Sequence, residues 1–235
     1  MRILYVFPHP DDESFGPAHA ISKQRRQGHE VHLLTLTRGG ATRQRHKYGY
    51  SVQEMGEARY QEMLCVAQVL DLSGMNVLDL PDSELKGMDP REIEAVVTAE
   101  VERLQPQVVV TYAVHGISGY HDHLVAHAVV KRVFVELAER VTYLKRLAFF
   151  TITQEDAASS KHAGLNGSKP EEIDCVVEVD EVDLDRARQA LDCYVTYQDA
   201  IQETGIRDFI HGQVVFELFR EGHDPPLDDL CDGIV

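Results

Sequence analysis

The chain has no tryptophan, few cysteines and few cations, and each shortage narrows what it can be. No apolar stretch approaches the ~18 consecutive residues that a membrane-spanning helix needs. The first apolar run is too short for a secretory leader and runs straight into acidic residues, so we expect a cytoplasmic protein. The cysteines are Cys65, Cys175, Cys193 and Cys231, and none forms a C-x-x-C pair. Cys65 falls in a helical pattern and Cys175 in a strand pattern, which predicts buried free thiols in a reducing compartment rather than disulfides. Lys and Arg number 23 against 39 Asp and Glu, a formal charge of −16 that repels nucleic acid and anionic membrane. Gly-x-Ser-x-Gly and Gly-x-Gly-x-x-Gly are both missing, so neither a nucleophile elbow nor a dinucleotide fingerprint is present.

What remains is an alternation of strand and helix patterns. Arg2 to Phe7 is an apolar strand, and residues 14–28 form a helical pattern that stops at Gly28. Glu30 to Leu36 alternates as a second strand. The following run, 37–47, holds two glycines and a cluster of cations, including Arg38 and Arg43. In so acidic a chain it reads either as a solvated loop or as a contact for an anionic part of a ligand. A helix is expected over 52–70, with Arg59 and Glu62 as a local i, i+3 pair. A short strand over 76–80 ends at Pro81-Asp82, and Asp89-Pro90 begins a helix to Leu104. Val108 to Tyr112 is apolar throughout, as in a strand buried on both faces. Further strands are expected over 143–153, 173–179 and 212–219, with helices over 122–139 and 184–198 and a mobile loop over 154–172. This order predicts one α/β domain over 1–220, with a doubly wound, mostly parallel, Rossmann-like sheet flanked by helices. An acidic C-terminal tail, 221–235, carries Pro225-Pro226 and is expected to be loose.

Two clusters carry chemistry. The first strand ends in Pro8-His9-Pro10-Asp11-Asp12-Glu13, one imidazole and three carboxylates. Without a cation such carboxylates repel one another, and a divalent metal resolves the conflict. His9 and Asp12, three residues apart in a proline-braced turn, can face one ion. The second cluster, His115 to His123, follows the fourth strand and includes His121, Asp122 and His123. In doubly wound sheets ligands sit beyond the carboxyl ends of the strands, so both clusters fall on the binding edge.

The stretch Phe-Pro-His-Pro-Asp-Asp-Glu-Ser-Phe-Gly, 7–16, resembles the N-terminal motif of the LmbE-like, or PIG-L, family of zinc-dependent N-acetylglucosaminyl deacetylases. The His-Asp-His at 121–123 resembles that family's second motif. The resemblance implies that His123 is the third metal ligand beside His9 and Asp12, that Asp11 is the general base, and that Asp122 is the acidic residue preceding the last ligand. Two histidines and a carboxylate suit zinc, and they also suit iron(II) or another divalent metal. The family's electrophilic histidine is replaced here by Tyr120, with His121 in place of a proline. Imidazole is the better proton donor near neutral pH, which favours His121 over Tyr120 for the oxyanion. His19 stands where many family members have glycine, and it either lines the pocket or sits on the helix surface. His127 reads as a helix-face histidine outside the site.

The expected activity is hydrolytic removal of the acetyl group from a small N-acetylglucosamine conjugate, with hydroxide on the metal as nucleophile. The resemblance also hints at a trimer or hexamer. Two rivals stand: a metal-dependent amidohydrolase on a non-sugar amide, and a non-catalytic protein that keeps the metal for structure.

Overall fold

A computed structural model describes residues 1–161 and 164–234. Seven strands form one sheet in the order β3-β2-β1-β4-β5-β7-β6. They are β1 (Arg2–Phe7), β2 (Glu30–Thr37), β3 (Gly74–Leu80), β4 (Val108–Tyr112), β5 (Arg146–Thr151), β6 (Cys175–Glu178) and β7 (Gln213–Leu218). The first five pair in parallel, and β7 lies antiparallel to both β5 and β6. The helices are α1 (Asp12–Phe15), α2 (Ala18–Arg26), α3 (Arg45–Tyr48), α4 (Val52–Val69), α5 (Pro90–Leu104), α6 (Gly116–Gly119), α7 (His121–Ala138), α8 (Gln154–Ser159), α9 (Glu181–Cys193) and α10 (Gln198–Thr204).

Strand β1 is buried on both faces, which is why its sequence is apolar without interruption. Ile3, Tyr5 and Phe7 face a core built with α2, α4 and α9, and Leu4 and Val6 face a second core built with α5 and α7. The chain runs from β1 outward to β2 and β3, then crosses to β4 on the other side of β1. That reversal opens the crevice between the carboxyl ends of β1 and β4, where both chemical clusters emerge.

The structure departs from the sequence reading in four places. The first helical pattern is broken by Gly16-Pro17 into α1 and α2. A Cβ on Gly16 would lie 2.6 Å from Phe150 Cε1, so the break lets the chain pass close over β5. Cys65 and Cys193 are disulfide-bonded rather than free, because α4 packs on α9 and brings their Cα atoms to 5.7 Å across 128 residues of sequence. Periodicity shows no such tertiary neighbour, and the pair removes the cysteine argument for a reducing compartment; Cys175 is a buried free thiol, as expected. The 154–172 segment carries α8, and its residues 162 and 163 lie outside the described residues. The tail is docked rather than loose. Buried Arg146 needs acceptors, and it donates to Glu221 and to the Leu230 and Asp232 carbonyls, while Leu227 exchanges backbone bonds with Asp174 and Val176. No helix among the described residues is long and apolar enough to cross a membrane.

Candidate metal centre and active-site cavity

The proline-braced turn after β1 brings His9 and Asp12 together. The His9 backbone N–H donates to Asp12 Oδ2 at 2.8 Å, and His9 Nδ1 lies 3.5 Å from the same oxygen. From α7, His123 Nε2 approaches Asp12 Oδ1 at 3.3 Å. The other nitrogen of each ring is engaged from behind. His9 Nε2 donates to Asp122 Oδ2 at 3.2 Å, and His123 Nδ1 donates to the Gly116 carbonyl at 2.9 Å. Those outer bonds fix both rings with one nitrogen turned toward Asp12, the usual support of metal-binding histidines. Gly116 has φ +61°, and a Cβ there would meet His123 Cβ at 2.9 Å, so glycine is what lets its carbonyl reach the ring.

One ligand atom from each of His9, Asp12 and His123 falls within 4.8 Å of the others, an N, O, N set that fits a divalent cation. The electrostatics fit as well. Burial opposes charge on His9, yet Asp12 and Asp122 outweigh it and push its pKa up to about 10. Burial likewise disfavours ionised Asp12, but His123 and His9 hold its carboxyl well below the usual range. Among the described residues, Asp122 Oδ1 and Glu13 Oε2 are buried without a hydrogen-bond partner. So much negative charge in one place is what a cation resolves.

Asp11 points another way. It sits at φ 86°, a strained conformation for a residue with a side chain, and its N–H donates to the Tyr194 hydroxyl at 2.8 Å. Its Oδ2 lies 2.8 Å from Arg59 Nη2. Burial raises the Asp11 pKa to about 7, with Arg59 pulling it down and Asp12 and Glu13 pushing it up. Arg59 itself is buried and donates to the Pro10 and Gly39 carbonyls, with its guanidinium 4.2 Å from the centre of the Tyr197 ring. The expected local pair with Glu62 is therefore corrected: Arg59 turns inward, and Glu62 accepts from Thr196 N–H and Oγ1 instead. Desolvation of the guanidinium is offset only by several acceptors, and the turn after β1 supplies them.

A cavity of about 660 Å³ opens over this cluster. Of the residues proposed from sequence, His9, Asp11, Asp12, His19, Arg43, Tyr120 and His123 line it. Arg38 lies outside it, paired with Glu57 at 2.8 Å and set against the Tyr60 ring. Asp122 stands behind His9, where it also accepts from Ser83 N–H at 2.9 Å. His121 is exposed at the start of α7 and is not among the lining residues. Tyr120 is: its ring meets His9 edge-on at 5.7 Å, and its hydroxyl lies 3.3 Å from Ser83 Oγ. His127 is buried against Phe149 and bonded to the Tyr112 carbonyl, the structural role expected of it.

Three contributors escaped the sequence reading. Tyr112, at the end of β4, donates to Asp12 Oδ1 at 2.7 Å and stacks on His123 at 4.2 Å. Tyr194 donates to Glu13 at 2.6 Å, and Asp82 lies 3.4 Å from His9 Nε2. Tyr112 and Asp82 end or follow strands at the binding edge, so topology could have found them; Tyr194 arrives from α9 with no signal in the sequence.

Residues 4–134 match the PIG-L family model, described as GlcNAc-PI de-N-acetylase. The chain is 30% identical over 161 residues to a 1D-myo-inositol 2-acetamido-2-deoxy-alpha-D-glucopyranoside deacetylase of Kineococcus radiotolerans, covering 57% of this chain and 45% of that protein. It is 31% identical over 140 residues to the N-acetylglucosaminyl-phosphatidylinositol de-N-acetylase of Bos taurus, covering 57% and 51%. The chain thus spans about half the length of these two relatives. Its fold superposes on the zinc-inhibited form of teicoplanin deacetylase with a TM-score of 0.73 at 14% identity, covering 94% of this chain and 99% of that one. With the family model matching more than half of the chain, both motifs included, the chain belongs to the PIG-L family.

Proposed function

We propose that the protein hydrolyses the N-acetyl group of an N-acetylglucosamine conjugate, with a divalent cation held by His9, Asp12 and His123. Zinc suits the ligand set, and iron(II) is its nearest competitor. When bound, the cation supplies a Lewis acid that polarises the attacking water and the acetamide carbonyl. The chain's own residues do the rest. Asp11 takes the proton from the attacking water, and Arg59, fixed by two backbone carbonyls, keeps that carboxylate aimed and partly ionised. Tyr120 donates its hydroxyl hydrogen bond to the carbonyl oxygen as charge gathers there. The donor role passes from His121 to Tyr120 because geometry precedes acidity, and only Tyr120 faces the cavity. Asp122 acts through His9, holding its ring, and does not reach substrate. Arg43 at the cavity wall suits an anionic part of the conjugate.

The observation that carries the reading is the separation of roles within one turn. Asp12 faces two imidazole nitrogens while its neighbour Asp11 faces a buried arginine. The test is release of primary amine and acetate from a panel of N-acetylglucosaminides and simple N-acetyl amines by zinc-loaded protein. Turnover of the sugars alone is expected. Equal turnover of the non-sugar amides would favour the broader amidohydrolase, and none of either would remove the deacetylase reading.

A further inference from the structure

The cavity is wider than the cluster that defines its chemistry. It reaches from the end of β1 across β4 and β5 to the start of β7. Neighbouring strands lie ~4.8 Å apart, so three strand steps carry the wall roughly 14 Å from His9. Along the way the lining changes character. Phe150, Ile152, Ile206, Phe209 and Val215 make much of the far wall, with His19, His211 and Asp156 set among them. A cavity of about 660 Å³ lies in the range that encloses a ligand of drug size rather than an acetamido sugar alone.

One polar side chain stands out at that end. His19, on α2, lines the cavity and is only 4% exposed. Among the described residues neither of its ring nitrogens has a hydrogen-bond partner. Buried imidazoles normally have one, because an unpaired buried donor or acceptor loses its hydration for nothing. Burial also lowers the His19 pKa to about 4; the Gln213 backbone nearby, outside good hydrogen-bond geometry, offsets this only in part, so the ring is neutral and offers one donor and one acceptor. Two titratable neighbours on the same wall are paired with each other: His211 Nε2 lies 3.4 Å from Asp156 Oδ1, and Asp156 accepts from Thr153 Oγ1.

We propose that the β5–β7 side of the cavity is a second subsite, which takes an apolar aglycone carrying one uncharged hydrogen-bonding group, and that His19 reads that group. The inference rests on the deacetylase reading for the position of the sugar. An apolar occupant matches the wall, and among the described residues the charges on it, His211 and Asp156, already face each other. A hydroxyl, ether or amide in an otherwise hydrocarbon substituent satisfies the imidazole without carrying charge into the pocket.

The test uses N-acetylglucosaminides with methyl, hexyl and 6-hydroxyhexyl aglycones, together with their deacetylated amines as calorimetric ligands. The wild-type zinc protein is expected to show kcat/KM at least tenfold higher for hexyl than for methyl, mainly through KM, and higher again for 6-hydroxyhexyl. Phe209→Ser should bring the hexyl-to-methyl ratio of kcat/KM down to near one, the methyl substrate serving as reference within the same preparation. His19→Phe should keep the hexyl advantage and erase the extra gain of the hydroxyl. Equal KM for methyl and hexyl substrates in the wild type would overturn the subsite, and a hydroxyl gain that survives His19→Phe would overturn the role of His19. The binding arm separates this from the parent reading. If no sugar is turned over yet the hexyl amine binds tenfold tighter than the methyl amine, the subsite stands and deacetylation falls. If methyl is turned over and the alkyl amines bind alike, the reverse holds.

Discussion

Asp183 and Asp122 are both fully buried carboxylates, and they are treated in opposite ways. Asp183 lies between α9 and α2, where Ser22, Arg26 and the Asp180 backbone N–H fill both of its oxygens. Burial opposes its ionisation, yet these partners hold its pKa below the usual range. Asp122 accepts from Ser83 and His9 through one oxygen and leaves the other unpaired, with Asp12 and Asp82 within reach of the same histidine. The first carboxylate is matched and serves the fold. The second belongs to a group whose charges balance only when something is added. Satisfaction of hydrogen bonds, more than burial or residue type, separates scaffold from site in this molecule.

That contrast can be broken at each end. The largest effect is expected for Asp11→Asn, which should retain metal and lose ~10²–10⁴-fold in kcat because the general base is gone. Metal content by mass spectrometry beside steady-state kinetics checks both halves, and an unchanged kcat would exclude Asp11. Next comes Tyr120→Phe, for which a loss of ~10²–10³-fold in kcat is expected from removal of one oxyanion donor. His121→Ala, at an exposed position, should change kcat little; the reverse order of losses would return the role to His121. Asp122→Asn should weaken zinc binding by ~10–100-fold through the looser His9 ring. Competition with a chromogenic chelator reads that affinity, and an unchanged value would remove Asp122 from the support of His9.

Asp183→Asn should do the opposite: metal affinity unchanged, with stability lower by about 1–3 kcal/mol for hydrogen bonds to a charged group. The pH dependence has a definite sign. A carboxylate with a depressed folded pKa contributes its stability above the unfolded value near ~3.9, and that contribution is lost as pH falls through the folded value. The gap between wild type and Asp183→Asn in urea melts should therefore be full at neutral pH and shrink on acidification below about pH 4. A gap that widens on acidification would contradict the assignment.

Much of this was legible in the sequence because it is local. His9, Asp11 and Asp12 occupy one turn braced by prolines, and the turn ends a strand whose apolar run announces a central place in a parallel sheet. The switch-point rule then joins that turn to the cluster after β4. What stayed hidden depends on contacts between distant segments. Arg59 reaches the Asp11 turn only because α4 packs under it, and the alternative local partner, Glu62, was the reasonable expectation from spacing alone. The Cys65–Cys193 pair and the docked tail are of the same kind. His121 shows the converse limit: Tyr120 is the extended residue that caps α7 and His121 the first residue of its helix, and of the two Tyr120 turns into the cavity.

The central claim is that His9, Asp12 and His123 form one metal centre on which deacetylation depends. The most direct measurement is a zinc titration of metal-stripped wild-type protein and of Asp12→Ala, following amine release from an N-acetylglucosaminide. The wild type should gain activity in proportion to zinc up to one equivalent, and Asp12→Ala should bind little and stay inactive. Full activity in the stripped protein, or one tightly held, active zinc in Asp12→Ala, would contradict it.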